Sequence, residues 1–141
     1  MQKKQYNVVA QPFAGSQSLA LSCPASEILY EGTRGPGKTF SQLMRFRSRV
    51  GLGYGAYWVG IIFDLEYKNL GDIIAQSKKL FHAFNDGAKF YSSNSALMWQ
   101  WPTGERLLFR TAKTADDYYH GRSSGCFYNS HNAFARTSFF W

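Results

Sequence analysis

Apolar positions along the chain fall into short runs separated by glycine-rich turns, with one longer stretch of helical periodicity. Ile28-Leu29-Tyr30 has the length and character of a buried strand. A glycine-rich segment follows, and then Phe40-Ser41-Gln42-Leu43-Met44-Arg45-Phe46 reads as the start of a helix. Beyond the turn Gly51-Leu52-Gly53-Tyr54-Gly55, the run Tyr57-Trp58-Val59-Gly60-Ile61-Ile62-Phe63 is apolar throughout, as strands of a parallel sheet are. From about Tyr67 to Phe84, the positions Leu70, Ile73, Ile74, Leu80, Phe81 and Phe84 recur at helical spacing, with Lys78 and Lys79 turned outward. Asn85-Asp86-Gly87 turns the chain. Three strands are predicted next, at Lys89-Phe90-Tyr91, from Ala96 to Trp101 and from Arg106 to Arg110, the last two joined by the hairpin connection Pro102-Thr103-Gly104-Glu105. Trp99, Trp101 and Phe109 are assigned to core and cross-strand packing. Gln17 to Cys23 is short and partly alternating and stops at Pro24, while residues 1–16 read as a polar arm. The order of elements predicts an α/β fold.

The segment between the first strand and the first helix carries the chemistry. Gly32-Thr33-Arg34-Gly35-Pro36-Gly37-Lys38-Thr39 fits the phosphate-loop pattern G-x-x-x-x-G-K-[ST] at every fixed position, in the strand–loop–helix context the motif requires. Glycines let consecutive backbone N–H groups turn inward around phosphate oxygens, and the helix starting near Lys38 points its positive dipole end at the same anion. Lys38 is placed to reach the β- and γ-phosphates, and the Thr39 hydroxyl to take a position on Mg²⁺. Pro36 stiffens the loop. Arg34 adds a second permanent cation, suited to a γ-phosphate or its transition state. A nucleotide held with Mg²⁺ is therefore the expected ligand.

With 141 residues the chain is one domain at most. Sixteen Lys and Arg against nine Asp and Glu give a net charge of +7, which suits a polyanionic partner such as nucleic acid and equally a solvated basic surface. Two cysteines, Cys23 and Cys126, have neither metal-ligand spacing nor a disulfide framework, and no apolar run approaches membrane-spanning length. A reduced, soluble, cytoplasmic protein is expected. Asp64, closing the apolar run 57–63 and followed by Glu66, has the form of a metal-holding acid at a strand end, and also of an acid that opens the next helix. A glutamine shortly before a phosphate loop can offer an adenine both a donor and an acceptor, and Gln11 and Gln17 both qualify.

Taken in order, the loop Gly32–Thr39 with its internal arginine, Ile61-Ile62-Phe63, Trp99-Gln100-Trp101-Pro102-Thr103-Gly104-Glu105, Asp117-Tyr118 and Tyr119-His120-Gly121 resemble the ATPase domain of phage terminase large subunits over roughly residues 11–122. That resemblance implies a three-layer P-loop NTPase fold of the additional-strand catalytic-glutamate type. It implies a motor ring that drives double-stranded DNA into a procapsid, docked on a portal protein and served by a small terminase subunit. It also implies that Lys38 and Thr39 are the phosphate and Mg²⁺ residues, Arg34 the loop arginine and Gln17 the adenine-contacting glutamine. The domain would be a partial ATPase over residues 17–121, incomplete at its C-terminal end.

The departure from the family pattern lies in the last residues. The family follows its tyrosine-histidine-glycine region with an apolar strand ending in adjacent acids, one for Mg²⁺ and one to polarise the attacking water. Here no acid lies beyond Asp117, and residues 122–141 have neither strand periodicity nor an acid to act as base. His120 and His131 could be imagined as replacement bases. Loss of the reading frame just after Gly121 or Arg122 is one explanation; a short protein with a divergent end is the other. The first predicts a sheet that lacks a central strand, and so has an unpaired edge and poor solubility, and a chain deficient in hydrolysis. Two further function classes remain open: a small P-loop kinase or NTPase using Asp64 and Glu66, and a non-enzymatic nucleotide- or DNA-binding fragment.

Overall fold

A computed structural model of the chain describes residues 6–25, 27–30, 37–93, 96–112, 114, 116, 125–130 and 132–136. In chain order its elements are α1 (Ser16–Ser22), β1 (Glu27–Tyr30), α2 (Lys38–Arg47), a single 3₁₀ turn at Gly55–Tyr57, β2 (Val59–Asp64) and α3 (Tyr67–Phe84). Strands β3 (Lys89–Ser93), β4 (Ala96–Gln100), β5 (Arg106–Thr111), β6 (Gly125–Ser130) and β7 (Asn132–Arg136) complete them. The protein is an α/β fold built on one mixed sheet of order β1-β7-β6-β2-β5-β4-β3.

Strand β2 runs parallel to both β5 and β6, β4 is antiparallel to β5 and β3, and β7 is antiparallel to β6 and β1. These pairings make β1, β2, β5 and β6 run in one direction. Their carboxyl ends therefore open on a single edge of the sheet, the edge on which α/β proteins bind ligands.

The core forms where the alternation along the strands meets the helices. Ile62 on β2, Leu107 and Phe109 on β5 and Trp99 on β4 face the same way and pack with Leu43 and Phe46 of α2 and Leu70, Ile73 and Phe81 of α3. Aromatic rings hold the centre: Phe46 stacks on Trp58 with centroids 5.5 Å apart, and Phe81 meets Trp99 and Trp101 edge-on, each at 5.3 Å. The two buried indoles at 58 and 99 find acceptors, the Phe46 carbonyl at 3.1 Å and the Ser77 hydroxyl at 2.9 Å. Ile61, Phe63 and Ala112 form a smaller buried cluster on the opposite face. Among the described residues α2 and α3 lie on one face only, so the sandwich there has two layers where three were expected.

Three elements differ from the sequence expectation. The partly alternating stretch 17–23 is helical, because α1 packs along α2 and its carbonyl end is bound by an α2 side chain. Residues 125–130 and 132–136, which lack strand periodicity, are extended and paired. Backbone hydrogen bonding needs no side-chain pattern, and β2, buried along nearly its whole length, requires partners on both sides. β6 takes the side left by β5, so β2 has no unpaired edge. The acidic, aromatic turn at 114–121 lies almost wholly outside the described residues.

Candidate functional site

Strand β1 delivers the chain to the carboxyl edge at Tyr30. Glu31, Gly32, Thr33, Arg34, Gly35 and Pro36 lie outside the described residues, and the structure resumes at Gly37. Gly37 adopts φ 73° and ψ 26°, a left-handed conformation that glycine takes with no Cβ penalty, and is the N-cap of α2. Its carbonyl accepts the Ser41 N–H at 3.0 Å. Lys38 and Thr39, both half-buried, are the first two residues of the helix. No side chain caps this N-terminus and no acid lies in its first turn, while Arg45 and Arg47 sit in its last turn. The positive end of the helix thus has no carboxylate in its own first turn to compete for an anion.

Gln17 is 5 % exposed and lies directly over Gly37. Its Oε1 accepts the Phe13 N–H at 2.9 Å, and a Cβ added to Gly37 would fall 1.7 Å from its Nε2. Gln11, the other glutamine of interest, is exposed. The segment that carries Gln17 is anchored by Arg45, which is 5 % exposed. Its Nη1 donates to the carbonyls of Ala20 at 2.9 Å and Cys23 at 3.2 Å, and its Nη2 to Ala25 at 2.9 Å. Burial, then the neighbouring Arg49, lowers the Arg45 pKa from its ordinary value, against a smaller opposing influence of Cys23. Arg45 was not singled out from sequence. No local signal marks it: Ser41 and Gln42, one turn before it on α2, are polar and equally buried.

Asp64 ends β2 on the same edge as the loop and is 2 % exposed. Its Oδ1 accepts the Glu66 N–H at 3.1 Å and the Asn69 Nδ2 at 2.9 Å, which closes the turn into α3. Glu66 is exposed at the N-cap position of α3 and its side chain makes no cap hydrogen bond. Strands β6 and β7 stand between β1 and β2, so the sheet separates the acid's strand from the loop's strand by two others. A cavity of about 390 Å³ opens farther along this edge, lined by Tyr67, Ser92, Ser93, Arg110 and Thr111 among others. His120 and His131 lie outside the described residues. Among the described residues no group of three or more His, Cys, Asp or Glu gathers as a metal cage, and no helix is long and apolar enough to cross a membrane.

Glu105, part of the stretch Trp99–Glu105, has no exposed surface. It accepts hydrogen bonds from the Gly51 N–H at 3.0 Å and from the Thr103 hydroxyl. Nearby, Asp86 receives the Trp101 indole N–H at 2.9 Å and forms an ion pair with Arg47 at 2.8 Å. These two acids fasten the β4–β5 turn to the ends of α2 and α3, far along the chain from the phosphate loop. No protein family, curated protein or solved structure matches the chain.

Proposed function

We propose that the chain binds Mg²⁺·ATP through the loop Gly32–Thr39, and that it is the nucleotide-gripping part of a P-loop ATPase of the phage terminase type. One observation carries the reading. Strand β1, which runs in the same direction as β2, β5 and β6, ends on the carboxyl edge of an α/β sheet, and a left-handed Gly37 and a helix beginning at Lys38 follow the motif residues 32–36 in sequence.

The residues present fit the ligand. The first turn of α2, with no side-chain cap and no acid in it, offers N–H donors to an anion. Lys38 would neutralise β- and γ-oxygens, Thr39 would offer its hydroxyl to the metal, and Arg34 would add its charge from within the loop. When bound, Mg²⁺ supplies charge neutralisation across those same oxygens. The whole-assembly role follows from the resemblance alone: double-stranded DNA as substrate, a portal protein and a small terminase subunit as partners, and a ring of ATPase subunits. The net charge of +7 is compatible with a DNA partner.

Hydrolysis by this polypeptide should be slow. Asp64, the acid at the end of a parallel strand on that edge, has its Oδ1 engaged in the turn into α3, and β6 and β7 separate its strand from β1, which leads to the loop. Absence of a general base typically costs on the order of 10²–10⁴-fold in rate. The test is ATP affinity by calorimetry with Mg²⁺, for the chain and for Lys38→Ala. A charge-assisted contact of about 1.5–3 kcal/mol predicts a loss of roughly 10- to 150-fold. Binding indifferent to Lys38→Ala would overturn the assignment. Turnover lost on Asp64→Asn would instead favour a small kinase or NTPase that uses Asp64 and Glu66.

A further inference from the structure

Gly37 is constrained twice. Its φ of 73° excludes ordinary side chains, and the space a side chain would need is already filled. A Cβ there would lie 1.7 Å from Gln17 Nε2 and 2.8 Å from its Cδ, so the carboxamide rests on the Gly37 backbone. The amide is fixed from behind by the Phe13 N–H, 2.9 Å from Oε1. The helix bearing it is fixed at its far end by Arg45, which reaches from α2 to the carbonyls of Ala20, Cys23 and Ala25. Segment 13–25 is thus tied to both ends of the helix that opens with Lys38.

A glutamine that reads an adenine needs a free donor and a free acceptor on one amide edge. Here one lone pair of Oε1 is taken by the Phe13 N–H, the carboxamide lies against Gly37 and the residue is 5 % exposed, so neither edge of the amide is open to a base. We propose that Gln17 is a positioning residue: it braces Gly37, holds the exit of the phosphate loop into α2, and acts on the triphosphate without selecting the base. Its functional consequence rests on the nucleotide-binding reading above; the brace itself does not.

The experiment uses the full chain and the variants Gln17→Ala and Gln17→Met, with two readouts. The first is amide exchange without nucleotide at Ser41, whose N–H donates to the Gly37 carbonyl at 3.0 Å, with Phe46 in the same helix as control. Gln17→Ala should speed exchange at Ser41 by roughly tenfold and leave Phe46 unchanged, as a local opening does. Gln17→Met, which fills the same space without the Phe13 bond, should recover part of the protection. The second readout is affinity for ATP, GTP and inorganic tripolyphosphate. All three should weaken by a common factor of roughly 10- to 100-fold in Gln17→Ala, the scale of a binding group displaced by about 1 Å. Loss confined to ATP would mean that Gln17 reads the base, and unchanged exchange at Ser41 would mean that there is no brace. Either result overturns the proposal. If the wild-type chain binds none of the three ligands while Ser41 still responds to Gln17→Ala, the brace stands and the nucleotide reading falls.

Discussion

Glu105 offers a stringent test of the packing described here, because a carboxylate with no exposed surface must be compensated in full or be costly. Its compensation can be itemised. Burial by itself would raise the carboxyl pKa. The Thr103 hydroxyl, the Gly51 N–H, its own backbone N–H and the charge of Arg47 outweigh that and hold it below its ordinary value. Glu105→Gln keeps the shape and an acceptor for Gly51 but turns charge-assisted bonds into neutral ones, which should cost about 1–2 kcal/mol at neutral pH. Glu105→Ala also strands the Gly51 N–H and the Thr103 hydroxyl and opens a void, which should cost about 3–5 kcal/mol. The sign of the pH dependence follows from the lowered pKa. The unfolded chain binds this proton more readily than the folded one, so the charge stabilises the fold above the unfolded value of about 4.3 and ceases to as pH falls through the folded value. Urea unfolding followed by tryptophan fluorescence at pH 7 and in the acid range measures both effects. The gap between wild type and Glu105→Gln should be present at pH 7 and close on acidification. Equal stability at pH 7, or a gap that persists undiminished in acid, would refute the account.

Gly60→Ala should destabilise by about 1–3 kcal/mol through overpacking. Its Cβ would stand 2.7 and 2.8 Å from the ring of Phe46 and 3.0 Å from Leu107 Cδ1, and Phe46, stacked on Trp58, has nowhere to retreat; a thermal melt checks it. Arg45→Met should cost about 1–3 kcal/mol, because the carbonyls of Ala20, Cys23 and Ala25 lose their donor. Limited proteolysis should then cut first within residues 13–25, and cleavage elsewhere would count against the clasp.

Much of this architecture was legible in the residues themselves. The periodicity of Leu70, Ile73, Ile74, Leu80 and Phe81 gives α3 its extent from Tyr67 to Phe84, and Asn85 ends it in the left-handed conformation its side chain tolerates. The turn Pro102–Glu105 joins β4 to β5 as its composition requires. Gly37-Lys38-Thr39 begins a helix behind a strand, as the loop motif demands. What was not legible depends on partners distant in sequence. Gln17–Cys23 is too short to choose a conformation on its own, and becomes helical against α2. The segments at 125–130 and 132–136 carry no strand pattern in their sequence and are placed by pairing with β2 and with each other. Buried charges are equally opaque: nothing local separates Arg45, Asp64 and Glu105 from solvated neighbours such as Arg106 and Glu66.

The sequence by itself determined the class of fold, the helix and strands with strong periodicity, and the loop chemistry that points to a nucleotide. These are properties of consecutive residues, written in spacing and in the few residue types that phosphate recognition permits. Only the tertiary structure decided that Asp64 closes a turn, that Glu105 and Arg45 are structural charges, and that Gln17 lies on Gly37. Each of these depends on which donors and acceptors meet once water is excluded, and a hydrogen bond between residues 20 or 54 positions apart leaves no trace in local pattern.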